Sequence, residues 1–192
     1  EQIAELEKKL AEYVNINHCI TVANGTDALQ IALMAIGINP DDEVITVAYT
    51  WISTSESISI LGAKPIFIDI EDQTFNMDPN LIEAAITKKT KAILPVSLYG
   101  QMPDYNKINE IAKKYNLIVI EDGAQSFGGT QNNKKSCGVT KISTTSFFPT
   151  KPLGCYGDGG ALFTDDDDIA IKIRAIKSHG GIKRFTHEYI GM

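Results

Sequence analysis

Short apolar runs alternate along the chain with stretches in which apolar residues recur every three or four positions. The first pattern predicts buried strands and the second predicts amphipathic helices. Strands that alternate with helices pair in parallel through right-handed crossovers, so the pattern predicts an α/β fold. We expect a mostly parallel, seven-stranded sheet with helices on both faces. The predicted strands are 18–22, 43–47, 65–68, 92–97, 117–121, 142–147 and 160–164; the predicted helices are 26–36, 53–61, 79–87 and 104–115, after an opening helix in EQIAELEKKLAEY.

One lysine, Lys151, lies in an otherwise apolar and glycine-rich turn, SFFPTKPLGCYGDGG, at residues 146–160. Burial of such a turn would favour the neutral amine of a lysine, and a neutral amine attacks a carbonyl to form a Schiff base. The aldehyde of pyridoxal phosphate is the carbonyl that we expect. The alternative is that Lys151 is an ordinary surface lysine beside a proline.

The segment LIVIEDGAQSFGG contains an apolar run, 117–120, that ends in Glu121, Asp122 and small residues. It is typical of a buried parallel strand, whose carboxyl end is where open α/β sheets place ligand-binding groups. A carboxylate at Asp122 would pair with the pyridine nitrogen of the same cofactor and keep it protonated.

A third segment, VANGTDALQIALMAIGI, places Gly25, Thr26 and Asp27 between a predicted strand and a predicted helix. Free amides in a first helical turn and the positive end of the helix dipole favour an anion such as phosphate. Gly25 would let the backbone approach, Thr26 would offer a hydroxyl and Asp27 would act through its backbone. The alternative is an ordinary helix cap, in which Thr26 or Asp27 satisfies the amides internally.

The segments NGTDALQIAL, TWIST, IEDGAQSFGG and TTSFFPTKPLGCYGDGGALFT resemble the DegT/DnrJ/EryC1/StrS family of sugar aminotransferases, in fold type I of the pyridoxal-phosphate enzymes. The resemblance implies that residues 1–192 form the cofactor-binding large domain, without the small C-terminal domain of complete members. It also implies that Lys151 forms the Schiff base with pyridoxal 5'-phosphate and that Asp122 binds its ring nitrogen.

By the same resemblance, Trp51 stacks on the cofactor ring, Gln125 donates to the ring hydroxyl, and Ser146 holds the phosphate together with Thr26. Structural alternatives remain for three of these residues. Trp51 could belong to the core. Gln125 and Ser146 could satisfy backbone groups in a loop and at a strand end.

The reaction that the resemblance implies moves an amino group from L-glutamate to a keto group of a nucleotide-linked sugar, in a homodimer. Within the family, SFFPTKPLGCYGDGG and HEYIGM look most like enzymes that aminate UDP-linked 3-keto-2-acetamido hexuronic acids. A 4-keto-6-deoxy sugar aminotransferase and a non-catalytic regulator that binds the cofactor remain as alternatives. Related sugar dehydratases replace the Schiff-base lysine with histidine, and Lys151 argues against that class.

Composition and residue spacing exclude several other classes of function. The 192 residues include 43% hydrophobic and 22% charged residues, with a formal net charge of −6, which opposes binding to nucleic acid. No apolar run is long enough for a membrane span, and the charged start differs from a signal peptide. The three cysteines are widely spaced and the three histidines are scattered, with no CxxC pair and no histidine at ligand spacing, so we expect free thiols, a cytoplasmic location and no metal site. The aspartates at 165–168 are expected to begin a helix.

Overall fold

The computed structural model describes residues 1–192. Six α-helices follow one another along the chain: α1 Gln2–Val14, α2 Gly25–Ala35, α3 Ser53–Ser59, α4 Ile82–Ala85, α5 Tyr105–Tyr115 and α6 Asp167–Ile176. The strands are β1 His18–Val22, β2 Glu43–Val47, β3 Lys64–Ile68, β4 Thr90–Ile93, β5 Ile118–Asp122, β6 Thr130–Gln131, β7 Lys134–Lys135, β8 Ile142–Ser146, β9 Gly160–Thr164, β10 Gly181–Lys183 and β11 Thr186–His187. Short 3₁₀ turns occupy Pro79–Leu81 and Leu98–Gly100.

Seven strands form one sheet in the order β1-β9-β8-β5-β4-β2-β3. Strands β8, β5, β4, β2 and β3 pair in parallel. Strand β9 runs the other way and pairs antiparallel with both β8 and β1. Because both neighbours of β9 oppose it, β1 points in the same direction as β8. The mostly parallel seven-stranded sheet predicted from the sequence is confirmed.

Alternate residues of the central strands enter different cores, because successive side chains of a strand point to opposite faces. Val44 packs in the core beneath α2 and α6, whereas Ile45 packs in the core beneath α5. Val119 and Ile120 divide between the two cores in the same way. A smaller third core joins α1 to β1 and β9. Helices therefore cover both faces of the sheet, as expected.

A buried carboxylate, Glu7, ties α1 to the sheet edge and to α6. It accepts hydrogen bonds from the Thr21 amide at 2.8 Å and the Thr21 hydroxyl at 3.0 Å, and from Arg174 at 3.0 Å. The Lys177 ammonium lies 3.6 Å away. The pKa of Glu7 is lowered: burial raises it, but the Thr21 hydrogen bonds and the Arg174 charge outweigh burial.

Two predicted elements differ most from the structure in extent, while several others differ by one or two residues at an end. The strand predicted at 92–97 ends its regular ladder at Ile93, because Pro95 has no amide to donate, although Val96 still forms an isolated bridge with Asp122. The helix predicted at 79–87 is a 3₁₀ turn followed by only four α-helical residues.

The aspartate run begins a helix, as predicted. The carboxylate of Asp166 caps α6 by accepting from the Ile169 amide at 3.0 Å, and it also pairs with Lys141. No helix combines the length and the apolar character that a membrane crossing requires.

Candidate active site

The ends of four strands meet around one cavity of about 560 Å³. The carboxyl ends of β1, β2, β5 and β8 lie at the same edge of the sheet, since these strands point in one direction. Every site residue predicted from the sequence lines this cavity: Gly25, Thr26, Asp27, Trp51, Asp122, Gln125, Ser146 and Lys151.

The N-terminus of α2 forms one end of the cavity. Asn24 is the cap, and its side chain accepts from the Asp27 amide at 2.8 Å. The Asp27 amide, which the sequence interpretation assigned to phosphate, is therefore already occupied. The amides of Gly25 and Thr26 have no protein acceptor and remain free for an anion.

Two glycines allow the backbone to close around this end. A Cβ on Gly25 would lie 2.7 Å from the Cβ of Ser146, and a Cβ on Gly160 would lie 2.5 Å from the Asn24 carbonyl oxygen. Real Cβ atoms essentially never come this close to another atom. Glycine at both positions brings the first turn of α2 directly against the ends of β8 and β9.

Asp122 ends β5 and is buried. Its backbone amide donates to Pro95 and its carbonyl accepts from the Ser97 amide, so the sheet holds its main chain. The carboxylate accepts from the Ala124 amide at 3.2 Å and from the Thr54 hydroxyl at 2.9 Å. Burial raises the pKa of Asp122, and these two hydrogen bonds and the nearby Lys151 ammonium oppose that rise only in part.

The TWIST segment after β2 contacts three parts of the cavity. Trp51 is 71% exposed, which excludes a core role and leaves its ring at the cavity wall. Ser53 accepts a hydrogen bond from the Thr26 hydroxyl at 2.9 Å, at the end formed by α2. Thr54, in the first turn of α3, contacts Asp122.

Gln125 and Ser146 each satisfy a backbone group and still face the cavity. The Gln125 Oε1 accepts from the Tyr99 amide at 2.8 Å, which leaves its Nε2 as the free donor. The Ser146 hydroxyl oxygen accepts from the Phe148 amide at 3.2 Å, so its hydrogen remains free to donate. The backbone roles kept open from the sequence are thus real, and each residue retains a donor for a ligand.

Lys151 follows β8 in a loop that faces the cavity. The prediction of a buried turn is wrong: Lys151 is only half-buried, and all its neighbours from Phe148 to Asp158 are exposed. The apolar residues of this turn lie at the surface because β8 ends at Ser146 and the chain leaves the sheet there. The case for Lys151 therefore depends on its position beside Asp122 rather than on burial.

A second buried carboxylate, Glu121, lies on the opposite face of β5. It is fully buried and accepts from the hydroxyls of Ser97, Ser136 and Ser143 and from the Cys137 amide. Burial raises the pKa of Glu121, and these four hydrogen bonds act against it. The network fastens the segment after β7 beneath the strand that carries Asp122.

The polar side chains of the cavity come from the sequence segments that resemble sugar aminotransferases, and comparison of the whole chain with known proteins extends this resemblance. The family model of the DegT/DnrJ/EryC1/StrS aminotransferases matches residues 1–192. The chain belongs to this family. Among the solved structures, NtdA of Bacillus subtilis, described with bound cofactor PMP, superimposes with a TM-score of 0.94 at 38% identity. This match covers 100% of the chain and 44% of NtdA.

Two curated relatives are more similar in sequence. A UDP-2-acetamido-2-deoxy-3-oxo-D-glucuronate aminotransferase of Pseudomonas aeruginosa is 55% identical, over 100% of the chain and 53% of that protein. A pleiotropic regulatory protein of Geobacillus stearothermophilus is 49% identical, over 100% of the chain and 51% of that protein. The chain thus spans about half the length of the curated relatives that it matches.

Of the polar cavity residues that were not singled out from the sequence, three contact a predicted site residue. Asn24 caps α2, Ser53 contacts Thr26, and Thr54 contacts Asp122. The available signal for Asn24 was its position just before a helix, where asparagine is a preferred cap. Nothing local distinguishes Thr54 from the other hydroxyl residues of TWISTSES, because its partner is on a distant strand.

Proposed function

We propose that the full-length protein is a pyridoxal-phosphate-dependent aminotransferase that acts on a nucleotide-linked keto sugar. The observation that carries this proposal is the arrangement around one cavity: a lysine, a buried aspartate and two free helical amides. Each group matches one requirement of the cofactor, namely an amine for its aldehyde, an anion for its ring nitrogen and donors for its phosphate.

The residues present fit this cofactor. Gly25 and Thr26 would hold the phosphate through their free amides, and Ser146 through its free hydroxyl hydrogen. Trp51 would cover the ring, and the free Nε2 of Gln125 would donate to the ring hydroxyl. The Asp27 amide has no part in this scheme, because Asn24 already accepts from it.

Bound pyridoxal phosphate supplies an electron sink that allows a proton to leave the α-carbon of an amino acid. Asp122 would hold a proton at the ring nitrogen, and a cation at that nitrogen would in turn stabilise the Asp122 carboxylate against the cost of its burial. The Lys151 amine would bind the cofactor aldehyde and then, once released by the incoming amino acid, move the α-proton as a base.

We infer that L-glutamate is the amino donor and that the acceptor is a UDP-linked 3-keto-2-acetamido hexuronic acid. The support for this acceptor is the 55% identity to an enzyme named for a UDP-2-acetamido-2-deoxy-3-oxo-glucuronate. Assays of the full-length protein with L-glutamate would compare this sugar with 4-keto-6-deoxy sugar nucleotides. Turnover of the 4-keto class alone would overturn the assignment.

The cofactor and donor are tested by absorbance spectroscopy of the full-length protein with pyridoxal phosphate. A visible band that is lost on addition of L-glutamate is expected for the wild type and absent in Lys151→Ala. Lys88→Ala is the matched control, because Lys88 is exposed and remote from the cavity. A wild type that binds no cofactor, or a Lys151→Ala variant that behaves like it, would refute the proposal.

A second candidate is a regulator that binds the cofactor without turnover. The 49% identity to a protein named as a pleiotropic regulator favours it. A cofactor band that is indifferent to L-glutamate and to every keto sugar tested would support this function over catalysis.

We further propose that the full-length protein is a cytoplasmic homodimer. The cavity contains three carboxylates, Asp27, Asp122 and Asp158, against the single cation Lys151, so an anionic sugar nucleotide requires further cations from elsewhere. Trp51 also exposes a large apolar surface at the mouth. A partner copy would supply cations and cover this surface, and sedimentation velocity of the full-length protein would detect it; a monomer would refute the dimer.

A further inference from the structure

Asp122 has one side-chain partner in the structure, the hydroxyl of Thr54. The distance from Thr54 Oγ1 to Asp122 Oδ2 is 2.9 Å, and the other carboxylate oxygen accepts only the Ala124 amide at 3.2 Å. A carboxylate accepts and never donates, so the Thr54 hydrogen is committed to Asp122. Both side chains are buried.

The Thr54 hydroxyl has a donor of its own. Its oxygen lies 3.1 Å from the hydroxyl oxygen of Thr50, and because the Thr54 hydrogen points to Asp122, the Thr50 hydroxyl must donate to Thr54. Two hydroxyls therefore form a directed chain that ends on the carboxylate. Aligned hydrogen bonds of this kind polarise and strengthen one another in a buried setting.

We propose that Thr54 is a positioning residue that holds the Asp122 carboxylate turned toward the cavity and in its anionic form. This inference rests on the proposed function, in which Asp122 binds the cofactor nitrogen. Thr54 is well placed for the task because the start of α3 fixes its backbone, with its amide bonded to the Trp51 carbonyl. The turn from Trp51 to Thr54 thus positions both the Trp51 ring at the cavity wall and the carboxylate of Asp122.

Electrostatics agrees with the geometry. Burial raises the pKa of Asp122, and the Thr54 hydroxyl is one of three groups that lower it, together with the Ala124 amide and Lys151. Removing this hydroxyl leaves the buried anion with one fewer donor. The carboxylate then favours its neutral form and binds a protonated nitrogen less well.

The test compares Thr54→Val, which keeps the shape and removes the hydroxyl, with Thr54→Ser, which keeps the hydroxyl. Thr46→Val is the matched control, because Thr46 is equally buried but donates to the Leu94 carbonyl, away from the cavity. Each full-length variant is titrated with pyridoxal phosphate labelled with ¹⁵N in its ring. The readouts are the binding affinity and the ¹⁵N chemical shift, which reports protonation of the ring nitrogen.

We expect Thr54→Val to bind the cofactor about 10-fold or more weakly, as for the loss of one hydrogen bond to a charged group. Its ¹⁵N shift should move toward that of a neutral pyridine. Thr54→Ser and Thr46→Val should resemble the wild type in both readouts, although Thr46→Val should melt at a lower temperature. A merely structural threonine would change the melting temperature without changing the shift.

Two results would overturn the inference: a Thr54→Val variant with wild-type affinity and shift, or a Thr54→Ser variant as defective as Thr54→Val. If Thr54→Val does not fold, Thr50→Val serves as the test instead. We expect it to weaken cofactor affinity about 2- to 3-fold and to move the ¹⁵N shift in the same direction. A Thr50→Val variant with no change in either readout would then overturn the inference. A wild type that fails to bind the cofactor would instead refute the proposed function itself.

Discussion

Replacement of Glu121 tests how the fold supports a buried carboxylate behind the site. Its oxygens accept from Ser97 at 3.2 Å, Ser136 at 2.6 Å, Cys137 at 2.9 Å and Ser143 at 3.1 Å. Three of these donors are hydroxyls, which can turn and accept instead. The Cys137 amide can only donate. An amide and a methyl group at this position should therefore have different effects.

In Glu121→Gln, the amide oxygen can serve Cys137 and Ser143 while the NH₂ donates to the hydroxyls of Ser97 and Ser136. The lost charge assistance, about 1 kcal/mol per bond, is offset because a charge is no longer buried, which otherwise costs several kcal/mol. We expect a net loss of about 1 kcal/mol or less. Glu121→Ala leaves the Cys137 amide unpaired, about 1–3 kcal/mol, and adds a cavity. It should be about 3 kcal/mol less stable than the glutamine variant.

The assay is thermal unfolding of the full-length protein, followed by circular dichroism at one protein concentration. A gap of 3 kcal/mol corresponds to roughly 6–12 °C between two variants of a chain of 150–250 residues, and to a smaller gap in a longer protein. Glu110→Gln controls for the loss of one negative charge at an exposed position and should melt like the wild type. If glutamine proved as destabilising as alanine, the charge itself would be required and the argument from hydroxyl reversal would be refuted.

Two further variants test the frame of the site. Glu7→Gln should lower the free energy of unfolding by about 1–2 kcal/mol at neutral pH through its contact with Arg174. Because the pKa of Glu7 is lowered from 4.5 by hydrogen bonds and the Arg174 charge despite burial, this stabilisation is complete above pH 4.5 and is lost as the pH falls through the lowered value. Denaturant curves of wild type and variant should converge in acid, and a constant gap would contradict this. Gly25→Ala should weaken pyridoxal phosphate binding at least about 10-fold in the same titration, since its Cβ would meet Ser146 at 2.7 Å. Gly157→Ala is the control, with open space around its Cβ; equal affinities of the two variants would count against a close-packed phosphate end.

Much of the fold was predictable because hydrophobic period is a local property. Strands β1, β2 and β9 begin and end at the residues predicted from their apolar runs. One error arose where the apolar pattern extends past the hydrogen-bonded ladder: the run at 92–97 is apolar up to Ser97, but Pro95 interrupts its regular pairing. The site was predictable in position, since the ends of parallel strands share one edge of the sheet.

The contacts within the site were less accessible from the sequence. That Thr54 donates to Asp122 depends on the placement of α3 over a strand that is not adjacent to β2. The exposure of the loop around Lys151 was also predicted wrongly. Its apolar residues suggested burial, but the loop leaves the sheet and lies at the surface. Which polar atoms meet, and which apolar ones stay at the surface, are tertiary properties that periodicity does not encode.

The reversed strand β9 sets the order in which the domain can be completed during synthesis. Strand β1 is made early, but its only partner in the sheet is β9, and their register joins His18 to Thr164. Contacts so distant along the chain form late, because both ends must first be available. On the ribosome, β1 cannot join the sheet until residue 164 has emerged. The β1 edge, which leads into α2 at one end of the cavity, is thus the last part of the sheet to be fixed.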